Sequence, residues 1–445
     1  MHGFLHKYRP FYKDIAILAY PLLLGQVGNI SVGFADNIMV GHSSTAELAS
    51  ASFVNNWFNI AVMASLGFAY GLTPLLGALF AKGRHSDVGR LLRVGLWVNT
   101  LFSLTLVAIM TAIYFNLHRF GQPAELMQYI RPYYLVVLAG IVPVSIFGVI
   151  SQWSYAIGNT AIPTWILLSG NALNILGNYV LIFGHWGFPA LGLLGAGIST
   201  LVVRILCMVV MAAFFLWGRM GEPYRDGFFR SKTLRGEARK VFVTGFPVSM
   251  QMTFETASFS GSAIMAGWIG ALSLAAFQIV VITGMLGFCI YYSIGGAMAI
   301  VLSHAAGRHD RIAMRRSAWA GYHITLLAML VCFFLLTTAG PTIMGWFSDD
   351  PAVVALAITL IVPMILYQFG DATQITFANA LRGTSKVMPM LYIAFFSYVV
   401  VGLPCTYLFA FPLGLGLYGI ILSFTVCLLL AGALYFYFFM RATRR

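Results

Sequence analysis

Two stretches of the sequence indicate the fold of this chain. They are YPLLLGQVGNISVGFADNIMVG at residues 20–41 and FPVSMQMTFETASFSGSAIMAG at residues 246–267. They lie 226 positions apart, and both end in Ile-Met-x-Gly. Two further pairs of segments match at a displacement of 224 residues: 81–87 with 305–311, and 192–199 with 416–423. The chain therefore contains two copies of one structural unit, an arrangement common in membrane transporters.

The composition places both copies in a membrane. Of 445 residues, 60% are hydrophobic and 9% are charged, a balance that excludes a water-soluble domain of this length. Apolar runs of about 20 residues or more are long enough to cross about 30 Å of hydrocarbon as helices. We predict twelve such spans: 14–41, 47–80, 90–116, 131–157, 163–184, 191–217, 241–268, 272–304, 317–344, 352–381, 388–411 and 415–440.

The number of spans in each copy fixes the symmetry of the repeat. Six is an even number, so both copies begin on the same side of the membrane and form a parallel repeat. The expected fold is an all-α integral membrane protein, with twelve transmembrane helices in two six-helix lobes related by a pseudo-two-fold axis. We predict lobes at residues 1–218 and 241–445, joined by a basic cytoplasmic linker at 219–240. Transporters of this kind commonly carry substrate between two lobes that rock against each other.

The positively charged residues are distributed as expected for a protein that crosses the membrane several times. The formal net charge is +13, and Lys and Arg gather at the predicted cytoplasmic ends of the spans, with Arg119, Arg131 and Arg204 as the exceptions. The positive-inside rule then places both termini in the cytoplasm. This distribution favours a multi-pass protein of the inner membrane over a nucleic-acid-binding protein.

Three acidic residues, Asp36, Glu255 and Asp371, lie well inside predicted spans and away from basic neighbours in the sequence. An ionised group at mid-membrane costs about 2.5 to 3.5 kcal/mol on insertion scales. Each acid therefore indicates either a cation or proton site, or a hydrogen-bond acceptor between helices. Burial disfavours the charged form of a carboxylate, which suits a proton carrier. Two carboxylates with neutral oxygens would equally suit a small hard cation such as Na⁺.

Neutral polar residues also align on helical faces. Tyr367 and Asp371 are four residues apart, so one face offers a phenol and a carboxylate together. Asn171, Asn174 and Asn178 share a face in another predicted span. Because amides and phenols also bridge helices without any transport role, both interpretations stay open from spacing alone.

Other features point away from catalysis. No GxxxxGK[ST] motif occurs, so ATP is not expected as the energy source. The five cysteines fall inside predicted spans without metal-ligand spacing, and we expect them to be structural. We also expect a structural role for Arg204, either paired with an acid or extended towards the interface. The expectation is a non-enzymatic transporter without a cofactor, coupled to Na⁺ or H⁺.

Four motifs give the chain a family likeness over nearly its full length. They are GQVGNISVGFADNIMVGHSSTAELAS at 25–50, GNALNILGNYVLIFG at 170–184, GFPVSMQMTFE at 245–255 and FGDATQITFANALRG at 369–383. With these motifs the chain resembles the multidrug and toxic compound extrusion (MATE) family, in particular its NorM-like bacterial branch. The resemblance implies export of bulky, often cationic and aromatic compounds in exchange for Na⁺ or H⁺.

The resemblance also implies roles for particular residues. In the C-terminal lobe it implies a cation site, with Na⁺ as the metal, at Glu255, Tyr367 and Asp371. The partners it implies are drugs and other organic cations together with membrane lipid. We expect a monomer, because a pseudo-symmetric two-lobe transporter can work as one.

In the N-terminal lobe the resemblance implies a polar cluster for proton coupling or drug recognition, at Asp36, Asn174 and Asn178. Two alternatives remain at this point: an exporter of an endogenous metabolite, and a flippase for a lipid-linked precursor. A flippase of that kind should have a cationic cavity for phosphates, whereas the buried charges here are acidic apart from Arg204.

Overall fold

The computed structural model describes residues 2–121, 123–348 and 350–444, and no β-strand occurs in these ranges. The first nine helices are α1 (His2–Ser43), α2 (Thr45–Tyr70), α3 (Leu72–Phe80), α4 (His85–Phe115), α5 (Ala124–Ala139), α6 (Ile141–Ala156), α7 (Ala161–Phe183), α8 (Leu193–Trp217) and α9 (Glu222–Phe229). The next eight are α10 (Glu237–Ile269), α11 (Ala271–Gly307), α12 (Arg311–Gly345), α13 (Pro351–Thr359), α14 (Ile361–Gly383), α15 (Met388–Ala394), α16 (Leu403–Ala410) and α17 (Gly416–Ala442). A short 3₁₀ helix covers Leu117–Phe120, and a π-helix covers Phe395–Gly402 between α15 and α16.

Most of the predicted spans are present as long apolar helices. Among the described residues, ten helical segments are long and apolar enough to cross a membrane, and the bent pair α13–α14 would add an eleventh. The predicted span 241–268 lies in α10, which is less apolar because Gln251, Glu255 and Ser262 interrupt it. The prediction of an all-α membrane protein is therefore confirmed, whereas the number of twelve spans stays a prediction.

The chain divides into two compact units whose boundaries lie inside α1 and α10. The N-terminal unit is Leu24–Ser249, and the C-terminal unit runs from Met250 onward and includes the chain up to Leu23. These units differ from the predicted lobes, 1–218 and 241–445, which follow the sequence repeat and remain a prediction. The first part of α1 therefore belongs to the C-terminal unit, and the first part of α10 belongs to the N-terminal unit. The sequence repeat predicts the opposite assignment for both, so the two segments have exchanged units.

Side-chain contacts explain the exchange. In the C-terminal unit, the Tyr12 hydroxyl on α1 lies 2.9 Å from Nδ1 of His323 on α12. In the N-terminal unit, the Ser249 hydroxyl on α10 donates to the Ala64 carbonyl oxygen at 2.7 Å. A Cβ on Gly71 would lie 2.6 Å from the backbone of Gly245, so glycine allows the close approach there.

The linker between the predicted lobes is folded onto the N-terminal unit. Helix α9 packs against α4 so closely that a Cβ on Gly89 would lie 1.9 Å from a carbonyl oxygen of α9. Beyond α9, Glu237 pairs with Arg90 of α4 at 3.0 Å. These contacts attach the basic linker along its length to one unit.

Helix α14 lies at the centre of the C-terminal unit, between α11 and α17. A Cβ on Gly284 of α11 would lie 1.8 Å from the Tyr367 hydroxyl, and a Cβ on Gly370 would lie 3.1 Å from Leu428 of α17. Small residues at these crossings let the helices approach closely, as is usual between membrane helices. The packing turns the polar face of α14 into the interior of the unit.

Candidate functional site

The first polar cluster lies inside the C-terminal unit and is called the C-terminal cluster: Glu255 on α10 with Tyr367 and Asp371 on α14. Asp371 and Tyr367 are buried, with 4% and 6% of their surfaces exposed. Glu255 lies close enough to Asp371 for the two carboxyl groups to repel each other. The structure thus brings together the three residues that the motifs assigned to a cation site, although they come from helices more than 100 positions apart.

Two amides hold the Glu255 carboxylate. Gln251 Nε2 donates to Glu255 Oε2 at 2.6 Å, and the Gln374 side chain makes a second hydrogen bond to Glu255. Gln251 is one helical turn before Glu255 on α10, and Gln374 follows Asp371 on the same face of α14. Both amides are buried, and Gln374 Oε1 has no hydrogen-bond partner among the described residues.

Two buried phenols complete the surroundings of Glu255. Tyr398 lies in the π-helix and Tyr435 lies on α17, and both interact electrostatically with Glu255. Within the described part of the chain, neither hydroxyl has a hydrogen-bond partner. π-Helical turns are rare and are found frequently at functional sites. Glu255 therefore has amides, phenols and a second carboxylate as its partners, and oxygen atoms of these kinds are the ligands that hard cations prefer.

The second polar cluster lies inside the N-terminal unit and is called the N-terminal cluster: Asp36 on α1 with Asn174 and Asn178 on α7. Asn178 Nδ2 donates to Asp36 Oδ1 at 2.5 Å. The Asn174 amide, oriented with its nitrogen towards the carboxylate, donates to Asp36 Oδ1 at 3.0 Å and accepts from Thr200 Oγ1 at 3.1 Å. The predicted grouping of these three residues is therefore present as a hydrogen-bonded set.

Asn171 does not belong to the N-terminal cluster, although it shares a helical face with Asn174 and Asn178. Its amide nitrogen lies 3.4 Å from Oδ1 of Asn29. Asn29 occupies the position in the first copy that Glu255 occupies in the second. The two copies of the repeat therefore place a neutral amide and an acid at corresponding positions.

Several residues of these clusters were not identified from the sequence. Gln251 precedes Glu255 by four residues and Gln374 follows Asp371 by three, so helical spacing contained a signal for both. Tyr398 and Tyr435 come from other spans, and no local spacing connects them to Glu255. Arg204, for which only a structural role was expected, interacts electrostatically with Asp36.

Comparison with known proteins shows the family of this chain. A profile of the family described as MatE matches residues 21–180 and 247–408, which includes both copies of the repeat. The chain belongs to the MatE family. Within MatE, the "Probable multidrug resistance protein NorM" of Xanthomonas campestris pv. campestris is 29% identical over 395 residues, covering 88% of this chain and 86% of that protein.

A protein of the same name from Mannheimia succiniciproducens is 28% identical over 440 residues, covering 97% of this chain and 94% of its own. Among solved structures, the eukaryotic MATE transporter AtDTX14 superposes with a TM-score of 0.89 at 18% sequence identity, covering 98% of both chains. That structural likeness shows the fold. The resemblance of the chain to the NorM-like MATE proteins is thus confirmed by sequence.

Proposed function

We propose that this MatE protein exports organic, often cationic compounds across the bacterial inner membrane, in exchange for Na⁺ or H⁺ moving inward. The names of its relatives support multidrug export, and its long apolar helices support a multi-pass membrane location. The distribution of Lys and Arg supports cytoplasmic termini. We propose that it works as a monomer, because a transporter with two pseudo-symmetric lobes can provide both halves of the transport path from one chain.

The observation that carries the proposal is the acid pair in the C-terminal cluster. Among the described residues, the hydrogen-bond and electrostatic partners of Glu255 and Asp371 are amides, phenols, a thiol and each other, and none is basic. Two carboxylates in a low-dielectric interior repel each other and lose hydration. Binding of Na⁺ or H⁺ relieves both effects, so the cluster favours taking up one cation.

Coupling follows from a difference in cation affinity between conformations. A cation that binds one conformation more tightly than another shifts the population towards it, by as much as that difference allows. A cation entering from outside would neutralise Glu255 and Asp371 and stabilise the conformation that releases the drug outward. One elementary charge moving inward across 100 mV supplies about 2.3 kcal/mol. Export of a cationic drug offsets this, so the concentration gradient of the ion is also needed.

The N-terminal cluster has a second role in this proposal. Its carboxylate is already bonded by two amides, which suits recognition of a polar substrate group or a proton-linked rearrangement. Whichever applies, Asp36, Asn174 and Asn178 contribute to transport from a site separate from the acid pair.

The test is export of a fluorescent organic cation from proteoliposomes with an imposed Na⁺ gradient or an imposed pH gradient. We expect wild type to respond to one gradient, and Asp371→Asn to lose that response while folding normally. Asp226→Asn, which alters an exposed ion pair on α9, is the matched control and should behave as wild type. Normal gradient-driven export by Asp371→Asn and Glu255→Gln would show that the acid pair does not couple the ion.

A further inference from the structure

We infer that one end of the C-terminal unit binds the phosphate group of an anionic phospholipid from the surrounding bilayer. The site is called the basic end and consists of Arg315 on α12, Lys386 before α15, and Arg441 and Arg444 at the end of α17. This inference goes beyond the proposed function, because it concerns the lipid beside the protein and not the exported compound or the exchanged ion. Neither the family match nor the motifs assign these residues a role.

Hydrogen bonds at the end of α17 bring basic side chains from other parts of the chain to it. Lys386 Nζ donates to the Ala442 carbonyl oxygen at 3.3 Å. Arg315 Nη2 donates to the Thr443 carbonyl oxygen, and its Nε donates to the Thr443 hydroxyl, each at 3.2 Å. Cations are stabilised at the carbonyl end of a helix, so α17 holds both side chains in place. The two positive groups therefore lie at the carbonyl groups of consecutive residues.

The basic end has no ion pair among the described residues. Arg441 and Arg444 are exposed on either side of the two carbonyl groups, and neither they nor Arg315 and Lys386 pair with an acid in that part of the chain. Asp310, the acid nearest to Arg315 in sequence, caps the backbone at the start of α12. Like charges gathered at one helix end repel each other, and an anion bound between them relieves this repulsion.

The matching end of the N-terminal unit is compensated by acids of the chain itself. There, Arg90 on α4 pairs with Asp87 at 2.7 Å and with Glu237, beyond the linker, at 3.0 Å. At the repeat displacement of 224 residues, the position of Asp87 in the second copy is occupied by Arg311. An acid in one copy is thus replaced by a further base in the other, and the basic end requires an anion from outside the described chain.

The basic end lies where apolar helices end and aromatic side chains are exposed. The apolar helix α17 ends at Ala442, and the span containing α15 begins at Met388, directly after Lys386. Tyr437, one turn before the end of α17, is 57% exposed, and Tyr392, one turn into α15, is 65% exposed. Tyrosines are enriched at the level of the lipid headgroups, where the ring is in contact with lipid and the hydroxyl with water.

These features favour a phospholipid over a free anion. Arg and Lys form charge-assisted hydrogen bonds to phosphate oxygens, and basic pockets between membrane helices bind anionic headgroups. The acyl chains of the same lipid would lie along the exposed faces of α15 and α17, next to Tyr392 and Tyr437. A free anion would use the positive charges alone and leave these faces uncovered.

Native mass spectrometry of the purified full-length protein in detergent tests the inference, because it counts bound lipid molecules. The probe is dioleoyl phosphatidylglycerol, and its control is dioleoyl phosphatidylcholine, which has identical acyl chains but no net charge. We expect the first phosphatidylglycerol molecule to bind about tenfold more tightly than phosphatidylcholine. Equal affinity for the two lipids would mean that only apolar surface is recognised, and the inference would fail.

The matched comparison is between two double variants that each lose two positive charges. Lys386→Gln with Arg441→Gln alters the basic end, whereas Arg84→Gln with Arg230→Gln alters residues that are paired with acids in the N-terminal unit. A basic residue near an anionic surface contributes about fivefold in affinity, so the first double variant should bind phosphatidylglycerol about thirtyfold more weakly. The second should bind it as wild type does. Equal binding by both double variants would overturn the inference.

Two further variants guard against misfolding of the first double variant. Lys386→Arg with Arg441→Lys keeps both charges and should bind phosphatidylglycerol as wild type does. Arg441→Gln alone changes an exposed side chain and should weaken binding about fivefold. If the charge-conserving variant loses binding as fully as the first double variant, the charges are not what binds the lipid and the inference is wrong.

Inorganic phosphate distinguishes a lipid from a free anion as the occupant. Added in excess over phosphatidylglycerol, phosphate should leave the bound lipid in place, because it has no acyl chains to contact α15 and α17. Displacement of the lipid by phosphate would show that the basic end holds a free anion, which contradicts the inference.

The lipid measurement is independent of the proposed function, since it uses neither an ion gradient nor an exported compound. If the basic end binds phosphatidylglycerol but wild type shows no gradient-driven export, the lipid site stands and the proposed function fails. If export is driven by a gradient but the first double variant binds lipid as wild type does, the lipid site fails and the proposed function stands.

Discussion

The two polar clusters differ in how each compensates a buried carboxylate. In the C-terminal cluster, Glu255 and Asp371 lie near each other, with amides and phenols as partners and no basic group among the described residues. In the N-terminal cluster, the single carboxylate of Asp36 has two amide donors and the permanent charge of Arg204 nearby. The first arrangement has no basic partner for its carboxylates among the described residues, whereas the second has one.

The two copies of the repeat are similar in sequence, but they do not carry the same charged residues at corresponding positions. Both copies provide a polar residue at the same position of their first span, yet it is Asn29 in one copy and Glu255 in the other. Under the proposed function, this difference confines ion binding to the second copy of the repeat. The other half then remains free for a different task, such as binding substrate.

The largest expected effect concerns the stability of the N-terminal cluster. Asp36→Asn replaces the charged acceptor of the Asn174 and Asn178 amides by a neutral group. Because hydrogen bonds to a charged group contribute about 1.5 to 3 kcal/mol, we expect the free energy of unfolding to fall by about 2 to 3 kcal/mol. Thermal denaturation of the purified variant measures this, with the exposed Asp226→Asn on α9 as the control. An Asp36→Asn protein as stable as wild type would show that these hydrogen bonds do not stabilise the N-terminal unit.

The second prediction concerns transport through the C-terminal cluster. Glu255→Gln removes one of two repelling charges, so the fold should keep its stability while gradient-driven export falls about 100-fold. Export assays in proteoliposomes measure this, with Glu222→Gln on the exposed start of α9 as the control. If Glu255→Gln instead destabilises the protein as Asp36→Asn does, the two clusters are compensated in the same way.

The third prediction concerns the phenol that the π-helix places near Glu255. Tyr398→Phe removes one hydroxyl and little packing, so we expect a loss of about 1 kcal/mol in cation binding, or about a fivefold higher ion concentration for half-maximal export. Tyr437→Phe is the control because the Tyr437 side chain is exposed. An unchanged ion dependence in Tyr398→Phe would remove this phenol from the ion site.

The smallest effect is expected at Tyr133 on α5, which is an electrostatic neighbour of Asp36. Tyr133→Phe removes the hydrogen bond to Asn55 and should lower the free energy of unfolding by about 0.5 to 1 kcal/mol. The ion dependence of export should not change, because the Tyr133 hydroxyl donates to Asn55 and not to Glu255 or Asp371. A shift in ion dependence, measured in the same assay as for Tyr398→Phe, would mean that the N-terminal cluster also binds the exchanged cation.

The membrane class, the internal repeat and the isolated acidic residues could all be recognised from the sequence alone. Hydropathy and helical spacing are local properties, so the spans and pairs such as Tyr367 with Asp371 could be read without a structure. An isolated charged residue within an apolar run is equally visible, which is why Asp36, Glu255 and Asp371 could be singled out. The association of Asn174 and Asn178 with Asp36 came from motif similarity, and the structure places them together.

Which distant groups share a site became apparent only from the packing of the helices. Arg204 interacts electrostatically with Asp36, and Tyr398 and Tyr435 interact with Glu255, although these residues lie on helices that are far apart in sequence. The exchange of the first parts of α1 and α10 between units is of the same kind. Such partners depend on close approach at small residues such as Gly140, where one absent Cβ makes room for a guanidinium. No local pattern contains that information, because it is set by packing between helices rather than by the order of residues within one.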